Sequence, residues 1–407
     1  MRIFISCGEP SGDLHAANLI RALRRRLPGA RFVGFGGPRM TEAGATLLYP
    51  LVNLAVMWIA QVIANLHVFI GLLRQAGRSF REERPDAVVL IDNPGFNWGV
   101  ARRAKAQGIP VIYFVPPQLW AWAGWRVVKV KKYVDHVLCT LPFEPRWYEE
   151  RGFGGAEYVG HPYFDELAGR VLDDAFLAEQ RARSGRVVAL LPGSRTQEVE
   201  RNFPMMLRAA ATVARARPDV RFAVACLNDR HRDRCAEMIA AEPLVSGCSI
   251  ELFSGRTPEL IRLADLCWAV SGSVSLELMT EALPTVVVYK LGAAHLWLAN
   301  KIVQVRYMTL VNLLADAELM PEYPTSGDVS HEMADHALTW LNNEAERLRV
   351  SESLAALRDR VVVPGATERA ADRIAALLTT ADRPGPRGPH RPLRAPSGQD
   401  ERVEQAG

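Results

Sequence analysis

RIFISCGEPSGD, residues 2–13, joins an apolar, β-rich run to a loop carrying Gly8 and Gly12 at the start of a helical stretch. Arg2 to Cys7 reads as a strand and Leu14 to Leu27 as a helix. Glycine lets the loop turn tightly and approach a ligand. Ser11 or Asp13 can cap the helix, so that its N–H groups point at the carboxyl edge of a sheet. Ligands of open α/β sheets bind at that edge. The loop is not G-x-G-x-x-G, because Glu9 and Pro10 stand where a dinucleotide needs close approach, and no Walker lysine follows. A capped turn without a ligand is the competing reading.

The same grammar continues along the chain. Arg31 to Phe35, Ala87 to Asp92, Pro110 to Val115 and His136 to Leu141 read as strands, and Phe96 to Gln107 as a helix. Such alternation predicts a parallel sheet covered by helices on both faces. After a polar stretch, Leu167 to Gly185, the pattern restarts. Val187 to Leu191, Arg221 to Leu227, Ser249 to Phe253, Leu266 to Val270 and Thr285 to Val288 read as strands, with helices beginning near Glu198, Asp229, Pro258 and Ser275. Glu332 to Leu378 reads as helix only. From Arg383 the chain is rich in Pro, Gly and Arg, with too few apolar residues to order itself. The expected organisation is an amino-terminal lobe over 1–168, a second lobe over 186–345, closing helices over 346–380 and a disordered tail over 381–407.

Composition fits two folded α/β lobes. Of 407 residues, 49% are hydrophobic and 23% charged, and the net charge of +4 is too small to argue for nucleic acid. The six cysteines form no C-x-x-C pair, which favours reduced core thiols over disulfides or zinc. The chain opens on a strand with no export signal. Leu51 to Leu73 has no charged residue, a length that could just span a bilayer. Asn53, Gln61, Asn65 and His67 give it a polar stripe, and the expectation is a helix partly exposed at a lipid interface. A buried helix and a span are the other readings.

Three more segments carry chemistry. In IDNPGFN, residues 91–97, Asp92 ends an apolar strand, where a carboxylate either caps a helix or acts on a ligand. In LPGSR, residues 191–195, Gly193 and Ser194 are expected to offer free N–H groups over a helix start. Arg195 adds a fork of donors suited to a diphosphate, able to carry the charge that builds on a leaving group where no metal does so. A surface arginine on a turn is the bland alternative. In SGSVSLE, residues 271–277, Ser273 belongs to a second anion cradle and Glu277 can accept from a ribose diol. Asn312, polar within LVNLL, is by default a satisfied core amide. PPQLWAWAGWR, residues 116–126, sets Trp120, Trp122 and Trp125 at a domain edge, for packing or for a greasy acceptor or lipid interface.

Together with ARFVGFGGPRM, YVGHPYFDEL, LPFEPRWY and VNLLA, these segments in this order resemble the lipid-A-disaccharide synthase family from Arg2 to Leu378. The resemblance implies a GT-B fold: two doubly wound Rossmann-like parallel-sheet domains, a cleft between them, and C-terminal helices closing back on the first. It implies an inverting, metal-independent transfer of 2,3-diacylglucosamine from UDP-2,3-diacylglucosamine to 2,3-diacylglucosamine 1-phosphate (lipid X), with no cofactor, at the cytoplasmic face of the inner membrane. A homodimer is left open. Asp92 matches the family's catalytic base and Arg195 its diphosphate-contacting arginine. Gly193, Ser194, Ser273, Glu277 and Asn312 fall on the donor side, and Glu9, Ser11 and Asp13 on the acceptor side. His15 is left between an assisting role and a structural one. Met57, Trp58, Val62, Trp120 and Trp122 fall where acyl chains or membrane are met. Trp58, Gln61 and Gly95 replace the glycine, glutamate and second aspartate usual in the family; the first two bear on acyl and acceptor preference. The alternatives are another UDP-sugar enzyme, whether a lipid-directed N-acetylglucosaminyltransferase or a 2-epimerase, and a catalytically silent nucleotide-sugar binder.

Overall fold

Among the described residues, thirteen strands form two separate sheets, and every strand pair in both is parallel. The computed structural model describes residues 1–54 and 66–379. The first sheet contains β1 (Arg2–Ser6), β2 (Arg31–Phe35), β3 (Ala45–Tyr49), β4 (Ala87–Ile91), β5 (Val111–Phe114), β6 (His136–Cys139) and β7 (Ala156–Tyr158). Its spatial order is 3-2-1-4-5-6-7. The second contains β8 (Val187–Leu191), β9 (Arg221–Cys226), β10 (Ser249–Ser254), β11 (Leu266–Val270), β12 (Thr285–Lys290) and β13 (Glu322–Thr325), in the order 10-9-8-11-12-13.

The central strands are buried along their whole length because helices cover both faces, which explains their unbroken apolar runs. Phe4, Phe35 and Phe80 pack edge to face under the first sheet, while Trp268 and Phe222 stack under the second. Edge strands β3, β7 and β13 lack such runs, and no strand was expected there. The polar stretch 167–185 contains a further helix, Asp174–Arg181, capped by Asp173.

In each sheet the order reverses once, between β1 and β4 in the first and between β8 and β11 in the second. Helices leave in opposite directions from such a pair of strands, and a crevice opens at their carboxyl ends.

The last helix, Ala366–Thr379, returns to the first lobe. Ala370, Ala371 and Ile374 are buried in its core, and Arg26 pairs with Asp372 (2.5 Å) and Glu368 (2.7 Å). A seven-residue helix, Pro162–Ala168, sets the angle of return. Its Asp165 carboxylate accepts from the backbone N–H groups of Gly365 (2.5 Å), Ala366 (3.1 Å) and Thr367 (2.8 Å), capping the last helix from outside it. Asp165→Ala leaves these donors unpaired, so the chain is expected to lose about 2 kcal/mol of stability. Urea unfolding checks this as a lower midpoint, with the far-ultraviolet spectrum of the folded state unchanged.

Candidate functional site

The loop after β1 and the loop after β4 meet at the first crevice. A Cβ on Gly8 would lie 1.8 Å from Nδ2 of Asn93, so only glycine lets the two loops touch. Asp92 and Asn93 both hold φ at +45°, a left-handed conformation that costs energy in non-glycine residues and turns the Asp92 side chain away from the strand path. Neighbouring groups hold that turn. The Asp92 carbonyl accepts from Asn97 Nδ2 (2.7 Å) and the Tyr113 hydroxyl (2.8 Å), and its N–H donates to Val115 (3.2 Å). Asn97 also donates to the Ser6 carbonyl (3.2 Å) and accepts from its hydroxyl (2.7 Å), clipping the ends of β1 and β4 together.

Helix Pro94–Ala106 begins without a side-chain cap, so the Asp92 carboxylate is not spent on capping it. Burial, reinforced by the charge of Glu9, raises the Asp92 pKa to about 6; the Asn93 N–H and His15 oppose the rise. A strained, half-buried carboxylate with a pKa near neutrality is suited to accept a proton.

Other acceptor-side residues divide. Glu9 is half-buried at the N-cap of helix Pro10–Arg26 and Ser11 is exposed, and neither caps the helix through its side chain. Asp13 departs from the expected ligand role. It is 2% exposed, and its carboxylate is consumed by the N–H groups of Gly37 (2.9 Å), Arg39 (3.0 Å) and Met40 (3.1 Å) at the next helix start.

At the second crevice, Gly193 has φ +125° and packs against Glu198, leading into helix Thr196–Ala216. The N–H groups of Ser194 and Arg195, expected to be free, both donate to Glu198 Oε2, at 3.0 and 3.1 Å. Glu198 fills the place an anion would take. The Arg195 side chain is 70% exposed and touches Glu198 Oε1 at 3.1 Å, so its guanidinium can turn toward a ligand. Ser273 is exposed at the helix start after β11.

Glu277 and Asn312 require correction as free ligand contacts. Glu277 is 6% exposed, with Oε2 accepting from the Tyr163 hydroxyl (2.8 Å) and Oε1 ion-paired with Arg170. Asn312 is fully buried. Its Nδ2 donates to Met320 O (2.7 Å) and Glu322 Oε2 (3.1 Å), and its Oδ1 accepts from Leu319 N and Met320 N, both at 2.9 Å. The amide is saturated by the loop that leads into β13.

The two crevices belong to one cleft. Ala121, in the short helix Leu119–Trp122 after β5, accepts from the N–H of Gln304 in the second lobe (2.9 Å), and Tyr163, just beyond β7, reaches Glu277. Segments that follow strands of the first sheet thus touch the second lobe.

Trp120 is a core residue, a further correction. It is 6% exposed, and its indole N–H donates to buried Glu144 (3.0 Å). Trp122 and Trp125 are 39% and 67% exposed with Arg126 over both rings. The second lobe adds exposed Trp297, with Lys301 over its ring, and Leu298, Ile302 and Val303, which sequence reasoning missed. Leu66 and Ile70 are exposed on helix Leu66–Glu82. Met57, Trp58, Gln61 and Val62 lie outside the described residues. No helix among those described is long and apolar enough to cross a membrane.

The family model for lipid-A-disaccharide synthetase matches residues 3–370. The chain belongs to the lipid-A-disaccharide synthase family. It is 36% identical over 378 residues to the lipid-A-disaccharide synthase of Anaeromyxobacter dehalogenans strain 2CP-1, covering 93% of this chain and 97% of the relative. It is 34% identical over 379 residues to that of Myxococcus xanthus, with the same coverage. Similar folds include S. aureus MnaA solved with UDP (TM-score 0.63, 14% identity, 93% of this chain and 96% of that one). Another is Acinetobacter baumannii MurG (TM-score 0.56, 13% identity, 92% and 98%). Family membership makes the chain a glycosyltransferase, with the GT-B architecture seen here.

If Asn312 serves the fold of the second lobe, Asn312→Ala should cost about 3 kcal/mol, because it strands several buried backbone groups. Calorimetric unfolding and UDP titration separate the roles: a stability loss with UDP affinity kept at a temperature where the variant is folded.

Proposed function

We propose that the chain transfers 2,3-diacylglucosamine from UDP-2,3-diacylglucosamine to the 6-hydroxyl of lipid X, with inversion, giving the β-1,6 disaccharide 1-phosphate and UDP. Asp92 carries this reading. It is the carboxylate at the first switch point whose oxygens are not committed to capping a helix, and its pKa suits a base. Asp92 takes the hydroxyl proton as the acceptor oxygen bonds to the sugar C1, and the bond from C1 to the diphosphate oxygen breaks with its electron pair leaving on UDP. Arg195 is the exposed cation on the facing loop, suited to stabilise that charge. For the diphosphate to bind the Ser194 and Arg195 N–H groups, Glu198 must give them up. Epimerases share only the fold with this chain, whereas the synthases share a third of its residues.

The exposed tryptophans support a lipid-facing rim. Trp122, Trp125 and Trp297 stand beside cations, the pairing suited to the boundary between acyl chains and anionic headgroups. This supports a position at the cytoplasmic membrane face, with the cleft open to lipid substrates.

Asp92→Asn should abolish turnover while leaving UDP affinity nearly intact, and Arg195→Ala should lower kcat by roughly 10²–10³. Product formation from radiolabelled donor, alongside UDP calorimetry, reads both; a normal rate in either variant rejects that residue's role. Replacing Trp122, Trp125 and Trp297 together by serine should reduce cosedimentation with phosphatidylglycerol vesicles at least severalfold, with transfer to a short-chain acceptor maintained.

A further inference from the structure

The hydrogen bond from the Gln304 N–H to the Ala121 carbonyl joins two apolar surfaces, one on each lobe. Trp122, Trp125 and Val128 are exposed on the first lobe, and Trp297, Leu298, Ile302 and Val303 on the second. Trp122 follows Ala121 directly, and Ile302 and Val303 precede Gln304. Consecutive Cα atoms are about 3.8 Å apart, so the bonded pair brings these residues within reach of one another. A second contact repeats the arrangement. A Cβ on Gly124, the neighbour of Trp125, would lie 3.5 Å from Gln304 Oε1. The two surfaces thus form one patch across the lobe boundary.

Charge selects the partner of this patch. Residues 116–133 and 293–308 contain no Asp or Glu. They contain Arg126, Lys129, Lys131, Lys132, Lys301 and Arg306, and none of these six joins an ion pair among the described residues. Arg126 lies instead over the Trp122 and Trp125 rings, and Lys301 over that of Trp297. Apolar side chains among unpaired cations fit an anionic lipid surface, where tryptophan enters the boundary below the headgroups and the cations meet the headgroup charge. A second copy of the chain, docked about a two-fold axis, would set the patch and its cations against themselves.

We propose that an anionic lipid surface, by binding both halves of this patch at once, holds the lobes together and so activates the transfer. The proposal rests on the lipid-facing rim described under the proposed function. Gln304 is exposed, and a single hydrogen bond in contact with water contributes little by itself. Lobes of one chain move relative to each other unless a large apolar interface holds them. A surface that engages both halves binds the joined arrangement more tightly than the parted one, and it shifts the balance by that difference. Asp92 stands on one lobe and Arg195 on the other, so the proposed chemistry needs the joined arrangement. The lipid is then an activator as well as the place where substrates are met.

Short-chain analogues of donor and acceptor that stay in solution separate activation from substrate delivery. With these, saturating phosphatidylglycerol vesicles should raise kcat severalfold, up to roughly tenfold where the joined arrangement makes up about a tenth of the free enzyme. Phosphatidylcholine vesicles should leave kcat unchanged. The double variant Trp297→Ser, Ile302→Ser keeps the first-lobe half of the patch. It should still cosediment with phosphatidylglycerol vesicles at high lipid, yet its ratio of rates with and without them should fall to about one. Failure of the parent to bind phosphatidylglycerol vesicles removes the rim reading and this proposal with it. Binding without a rise, an equal rise with phosphatidylcholine, or a full rise in the double variant overturns this proposal and leaves the rim reading standing. The parent enzyme alone supplies the first readout, so the test holds even where the variant does not fold.

Discussion

A parallel sheet has to send its helices to opposite faces at one point, and in each lobe that point leaves backbone uncovered. Between β1 and β4, and between β8 and β11, no helix can close over the strand ends. Asp92 and the Gly8 loop stand at the first opening, and Gly193 to Arg195 with Ser271 to Ser273 stand at the second. The proposed chemistry falls there because ligands of open α/β sheets bind at such openings. The strain at Asp92 and Asn93 follows from the same geometry, since the chain must leave β4 abruptly to let the Gly8 loop pass.

Most of this was legible in the sequence, for a reason tied to burial. Central strands such as AVVLI and VVALL are covered on both faces and therefore read as unbroken apolar runs. The edge strands ATLLY, AEY and EYPT are only partly buried and carry no unbroken apolar run of the length seen in the central strands. Loops at strand ends could be located because glycine and proline punctuate them. What each polar side chain does within a loop could not, because that depends on partners far away in sequence. Asp13 is satisfied by residues 37–40, Glu277 by residues 163 and 170, and Trp120 by Glu144. Asn97 was visible in the same motif as Asp92, but its part in joining β1 to β4 appears only when the strands are set side by side.

Buried carboxylates explain why these polar residues divided as they did. A carboxylate taken from water must find donors, and backbone N–H groups at helix starts are the nearest supply. Asp13, Glu144 and Asp165 each take two or three of them and become structural. Glu198 does the same at the loop expected to receive a diphosphate, but it is held by an exposed turn rather than a core. A dianionic ligand offers those donors more charge than one carboxylate can, so the contact that stabilises the empty loop is also one that the ligand can displace.

At Asp92, burial outweighs the support that its carboxylate receives. Burial and Glu9 act against its charge, the Asn93 N–H favours it, and the Asn97 and Tyr113 side chains hold its main-chain carbonyl. A base must be ionised before the acceptor arrives yet bind its proton well enough to take it, and a compensating charge at intermediate range meets both demands. A direct salt bridge would hold the carboxylate too far below neutrality to be an effective base.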